Sequence, residues 1–236
     1  MACRQAGSGG EEVKKRKSKL GIQALNPVNS ALEFQRQYKA RVFKVVIVND
    51  HDFVNWWLDF PDDTLVIGRF YGTGNIDRLE WTPENGIWLA DRLKQVAGFN
   101  KRIDVWECVN EPIVGSVADM QRLAEFERVW ADRMHEHGLK TIVGNFSVGN
   151  PADISLMKHF RPAMEAGDYF AYHAYGRPPH VLSDAEWWAL RYRKLLEAAE
   201  YEMPVLLTEG GIDAGGCPEC GYQSYMGALE YIEQLK

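Results

Sequence analysis

The sequence predicts an α/β fold, a (β/α)8 TIM barrel that is incomplete, with about seven βα units. Three observations lead there. Short apolar runs rich in β-branched residues recur along the chain without clean alternation, as in parallel strands buried on both faces. Segments with helix start signals separate consecutive runs, and composition does not shift along the chain, so one domain of βα units is expected. Two of the runs, far apart in sequence, end in a glutamate, and the C-terminal strand ends are where a barrel gathers its reactive groups.

Residues 1–19 read as a polar, flexible leader and residues 20–236 as the barrel. The first strand, Leu20–Leu25, runs into Asn26 and Pro27. The second, Arg41–Val48, runs into Asn49 and Asp50, and the third, Thr64–Gly68, into Arg69 and Tyr71. Asp104 to Val109 forms the fourth and runs into Asn110, Glu111 and Pro112. Lys140–Gly144, Tyr169–Tyr172 and Val205–Thr208 are the fifth to seventh. Between them, Thr82-Pro83-Glu84 places a capping residue before a proline at the first helical position. Ser116 to Asp119 and Ser183 to Glu186 follow the capping-box pattern, and Asn150-Pro151 repeats the cap-then-proline arrangement. A last helix is expected over Tyr222–Leu235. At 236 residues the chain is a little short of the roughly 250 typical of this barrel. Either a final strand and helix are missing, the reading we favour, or closure is unusual. In the former case strand seven stands at an open edge beside strand one.

Composition narrows the partners. A net charge of −6 argues against nucleic acid or an anionic membrane surface, both of which need clustered basic residues. The basic run Lys14–Lys19 follows Glu11 and Glu12 and reads as solvated. No apolar stretch approaches a membrane span, and Met1–Gly10 lacks the apolar region of a signal peptide. Cys108 sits inside a strand and is expected to be a buried thiol. Cys217 and Cys220 have CxxC spacing, but a zinc site needs two more ligands, so a local disulfide or two free thiols fits better.

The chemistry rests on Glu111 and Glu209. Retaining glycosidases use two carboxyl groups about 5–5.5 Å apart. Strands four and seven face each other across a barrel mouth, so these glutamates can approach that spacing. One must donate a proton and the other attack while ionised, so their surroundings must separate the two pKa values. Either glutamate alone would pass for a surface residue on a loop; the pair at matching strand ends would not. Asp50, His51 and Asp52 invite a metal reading, but neighbours in an extended segment point to opposite faces, so no metal is expected. Most of the tryptophans are expected in helix packing, while Tyr71 and Trp81, after strand three, are the better candidates to stack on a sugar.

With these residues in view, Val109 to Pro112 behind its apolar strand, with Thr208-Glu209-Gly210, resembles glycoside hydrolase clan A, the retaining (β/α)8 glycosidases that include family 5 cellulases and mannanases. The resemblance spans the first strand to the seventh. It implies cleavage of an oligo- or polysaccharide without a cofactor, with Glu111 as acid/base, Glu209 as nucleophile and Asn110 on the sugar 2-hydroxyl. Tyr172 to Tyr175 resembles the clan's His-x-Tyr element, which implies that His173 and Tyr175 lie beside the nucleophile. A tyrosine hydroxyl donating to Glu209 would keep it ionised. Arg69 stands where clan members often place a basic residue, and a barrel-rim ion pair is its other reading. Asn26, ending strand one, joins Arg69 and Trp81 as a candidate substrate contact. Two rival classes remain: a non-catalytic carbohydrate-binding barrel, favoured by the missing strand and disfavoured by both glutamates, and a metal-dependent barrel hydrolase, for which His173 and the Asp50–Asp52 patch do not converge.

Overall fold

The structure, a computed structural model, describes residues 21–25, 29–55, 60–72, 76–176 and 189–212. Outside the described residues lie the leader, Asn26, the cap at Ser183, Cys217, Cys220 and the helix expected over Tyr222–Leu235.

Seven parallel strands form one sheet in sequence order: β1 Gly21–Ala24, β2 Val42–Ile47, β3 Leu65–Phe70, β4 Val105–Glu107, β5 Lys140–Phe146, β6 Tyr169–Gly176 and β7 Val205–Ile212. Each run expected to be a strand is one. The sheet curls into a nearly closed barrel, as an incomplete (β/α)8 barrel does. β1 and β7 are the end strands among the described residues. The Gln23 side chain of β1 nevertheless reaches Glu209 of β7, with Nε2 3.3 Å from Oε1. Helices α1 Asn29–Tyr38, α2 Pro83–Phe99, α3 Val117–Glu136, α4 Arg161–Ala166 and α5 Arg191–Ala199 connect the strands.

Two caps form as the sequence predicts. Thr82 Oγ1 accepts from the Asn85 N–H ahead of Pro83, and Ser116 Oγ accepts from the Asp119 N–H. Each satisfies a donor that the first helical turn leaves free. Asn150-Pro151 does not start a helix. The next helical turn is a 3-10 segment, Ile154–His159, capped by Asp153, because the Asn150 side chain is bound elsewhere: its Oδ1 accepts from Val114 N–H and its Nδ2 donates to the Pro112 carbonyl.

The strands face two apolar environments. Ile67, Val105, Ile142 and Ala171 form a small layer inside the barrel, with Val42, Leu65, Tyr169 and Leu206 against it. Residues of opposite parity, among them Phe43, Val45, Val66, Trp106, Val143 and Phe170, join the larger core with the helices. This follows from the period of two along a strand. It also means that Lys44, two residues from Val42, and Glu107, two from Val105, point into the barrel above the apolar layer. Helices α2 and α3 meet closely at Gly86, where a β-carbon would lie 2.7 Å from the Phe126 carbonyl oxygen. Cys108 is a buried free thiol, and burial, its largest influence, raises its pKa. Among the described residues no helix is long and apolar enough to cross a membrane.

Candidate active site

The two glutamates reach the mouth of the barrel from different backbones. β4 ends at Glu107, and the chain turns so that Glu111 adopts φ of 46°, a left-handed conformation uncommon outside glycine. Strand β5 and the 3-10 turn Ile76–Arg78 hold this turn. The Glu111 N–H donates to the Asn145 carbonyl (3.1 Å), and the Asn110 N–H donates to Asp77 Oδ1 (3.0 Å). Asn145 belongs to an irregularity in the β5–β6 pairing between Val143 and Phe146 and is itself left-handed, at φ 46°. Gly144 beside it has φ 95°, and a β-carbon there would stand 2.6 Å from the Phe170 ring. Glycine is therefore required. Glu209, by contrast, lies within β7 and pairs in register with His173 of β6.

One ligand-type atom from each of Glu111, His173 and Glu209 lies within 4.8 Å of the other two. His173, fully buried, faces both carboxylates through Nδ1, 2.8 Å from Glu111 Oε1 and 3.5 Å from Glu209 Oε2. The Tyr175 hydroxyl donates to Glu209 Oε2 (3.0 Å). Glu209 Oε1 meets Lys44 Nζ at 2.9 Å and Arg69 Nη1 at 3.5 Å. Arg69 also pairs with Asp77 (2.9 Å), and its guanidinium stands 6.0 Å from the centre of the exposed Tyr71 ring.

The electrostatics of Glu209 follow from these contacts. Burial pushes its pKa up, the largest single influence. The Lys44 charge, the His173 charge and the hydrogen bonds from Lys44 and Tyr175 together outweigh it, leaving a pKa of about 2. Glu209 is therefore ionised across the neutral range. Glu111, with its side chain 40% exposed against 11% for Glu209, is the more open of the two. The pair thus consists of a screened, ionised carboxylate and an accessible one.

Of the residues singled out from sequence, Glu111, Glu209, His173, Tyr175 and Arg69 come together in one contact network. Asn110 adjoins it through its backbone. Trp81 is half-buried against the main core, and none of the contacts described at the two carboxylates comes from it. Asp50, His51 and Asp52 disperse: Asp50 pairs with Arg92, His51 packs on Phe99, and Asp52 accepts from the Val48 and Asn49 N–H groups. Glu111, His173 and Glu209 offer a cation one nitrogen and two carboxylates, but Lys44 already sits against Glu209.

Sequence reasoning passed over Lys44, Glu107, Asp77 and Gln23. Lys44 and Glu107 form an ion pair at 2.9 Å with both side chains essentially inaccessible. A signal for them existed: each is the lone charge inside an apolar strand, and buried charges of opposite sign require each other. Asp77 lies in a 3-10 turn, Ile76–Arg78, and no sequence pattern marks it.

No family model matches this chain, and no curated protein matches it. Solved structures do. It is similar to a psychrophilic glycoside hydrolase family 10 endo-β-1,4-xylanase, at 13% identity and a TM-score of 0.59, covering 92% of this chain and 80% of that one. It is similar to a β-mannanase from Thermomonospora fusca, at 15% identity and a TM-score of 0.55, covering 91% of this chain and 74% of that one. A family 5 cellulase from an Icelandic hot spring isolate matches at 16% identity and a TM-score of 0.53, over 91% of this chain and 72% of that one. Of two further matched chains it spans 55% and 50%. At these identities the likeness is one of fold: the chain shares the parallel (β/α) barrel of these glycoside hydrolases.

Proposed function

We propose that this protein is a retaining glycoside hydrolase acting on an oligo- or polysaccharide, with Glu209 as nucleophile and Glu111 as acid/base. The observation that carries the reading is the approach of the two carboxylates to within 4.8 Å around His173. Carboxylate oxygens this close are in keeping with double displacement, in which the two carboxyl groups stand about 5–5.5 Å apart, against about 6.5–9.5 Å for inversion. The roles follow from environment. Glu209 is ionised and held by Lys44, Arg69 and Tyr175, as an attacking group must be. Glu111, the more exposed of the two, is the one free to meet a departing group.

In the first step a Glu209 oxygen bonds to the anomeric carbon while the carbon–oxygen bond to the leaving group breaks, and the Glu111 proton passes to the departing oxygen. In the second, Glu111, now a carboxylate, takes a proton from water. The water oxygen bonds to the anomeric carbon and Glu209 is released. Tyr175 and Lys44 hold Glu209 in place through both steps. The Asn110 amide, next to Glu111, is the candidate to bind the sugar 2-hydroxyl, and Tyr71 is a candidate platform for a sugar ring.

Initial rates on an activated aryl glycoside test the assignment. Glu209→Ala should be inactive. Glu111→Ala should retain part of the first step, because a good leaving group needs little protonation. Added azide, which needs no general base, should accelerate the second step by displacing Glu209 from the anomeric carbon, giving a glycosyl azide of retained configuration. Retained azide from Glu209→Ala and inverted azide from Glu111→Ala would swap the roles. Variants as active as the parent would overturn the reading. Sugar binding without turnover in the parent would favour a non-catalytic carbohydrate-binding barrel.

A further inference from the structure

Asn150 lies in the connection after β5, and its side chain reaches back to the loop that carries Glu111. Its Nδ2 donates to the Pro112 carbonyl and its Oδ1 accepts from the Val114 N–H at 3.3 Å. One amide thereby satisfies a carbonyl and an N–H two residues apart, much as an adjacent strand would. Pro112 and Val114 are both buried, so their backbone groups need protein partners. On the other side of Glu111, its own N–H is bound to the Asn145 carbonyl. The main chain of Glu111 is therefore held on both flanks while it occupies a left-handed conformation that a glutamate does not adopt freely.

Asn150 is itself anchored. Its N–H donates to the Ser147 carbonyl at 3.1 Å. The buried Arg191, at the start of α5, donates through Nη2 to the carbonyls of Pro151 and of Ala152, the latter at 3.0 Å. A fixed support thus runs from α5 through residues 150–152 to the segment just beyond Glu111.

We propose that Asn150 is a positioning residue for the acid/base, holding Pro112 to Val114 so that the Glu111 carboxyl stays beside His173 and within proton-transfer distance of a leaving group. The inference rests on the glycosidase reading. Asn150 touches neither carboxylate and leaves Glu209 and its contacts intact. Its loss should therefore weaken protonation of the leaving group and spare attack by the nucleophile.

The experiment compares kcat/KM on two glycosides of the same sugar, one with a 2,4-dinitrophenyl leaving group and one with a poor alkyl leaving group. The parent, Asn150→Ala and Asn150→Asp are measured, the last keeping an acceptor for Val114 while setting an oxygen against the Pro112 carbonyl. The alkyl glycoside should lose at least about tenfold and the dinitrophenyl glycoside less than about threefold, since proton donation matters only for the poor leaving group. An equal loss on both substrates, unfolding included, makes Asn150 merely structural and overturns the proposal, as does no loss on either. A parent that hydrolyses neither substrate, or a Glu209→Ala variant as active as the parent, would instead sink the glycosidase reading beneath it.

Discussion

Glu127 provides a quantitative test of how the turn at Glu111 is supported. It lies on α3, is fully buried, and its Oε2 accepts from the Gly144 N–H at 2.8 Å, in the same irregularity of β5 that binds the Glu111 N–H. Burial dominates its ionisation and lifts its pKa from 4.5 to about 8, the Gly144 hydrogen bond opposing only in part. The folded state therefore holds a proton that the unfolded chain gives up near pH 4.5. Stability from this group is complete below that pH and is lost as pH rises towards about 8, beyond which the loss is constant. The slope is about 1.4 kcal/mol per pH unit, so on the order of 3 kcal/mol is gone by neutrality. Glu127→Gln keeps the shape and the acceptor for Gly144 but cannot ionise. Urea unfolding of parent and variant should give similar free energies near pH 5 and a difference of roughly 3 kcal/mol in favour of the variant near pH 7, other titrations cancelling between the two. A difference that stays constant with pH would show that Glu127 is not a buried neutral acid and would refute the argument.

Two further outcomes are expected. Lys44→Met leaves Glu107 as an unpaired buried charge and should cost roughly 3–5 kcal/mol in urea unfolding, whereas Lys44→Met with Glu107→Leu should recover most of it. Activity should not recover with stability, because Glu209 has still lost its nearest cation: its pKa should rise from about 2, moving the acidic limb of the kcat/KM profile to higher pH, and an unmoved limb would count against Lys44 as its partner. Gly86→Ala places a β-carbon 2.7 Å from the Phe126 carbonyl, so helices α2 and α3 must separate. It should lower Tm although alanine is the better helix former by about 1 kcal/mol, and a rise in Tm would show that the two helices have room to part.

Much of the fold was legible because each βα unit is written locally. Apolar runs, the Thr82-Pro83 and Ser116 caps and the turn residues between them are read from a few neighbours at a time, and all seven strands lie where those runs are. Asn150-Pro151 shows the limit of such reading. The dipeptide has the form of a helix start, yet its amide is taken by Pro112 and Val114, 36 or more residues away, and a local pattern cannot register a distant competitor. Strand ends were misjudged for a related reason. β6 and β7 continue well past their apolar cores, to Gly176 and Ile212, because pairing between them, not hydrophobicity, sets their length.

By itself, then, the sequence determined the seven strands, the parallel sheet, and the two glutamates, His173, Tyr175 and Arg69 as the groups to watch. Those properties depend on residue type and short spacing. Only the tertiary structure decided that Lys44 and Glu107 share a buried ion pair under Glu209, that Asp77, Asn145 and Asn150 hold the turn bearing Glu111, and that Trp81 belongs to the core. These depend on which strands become neighbours and how far the sheet curls, and that is settled by packing among residues scattered along the whole chain.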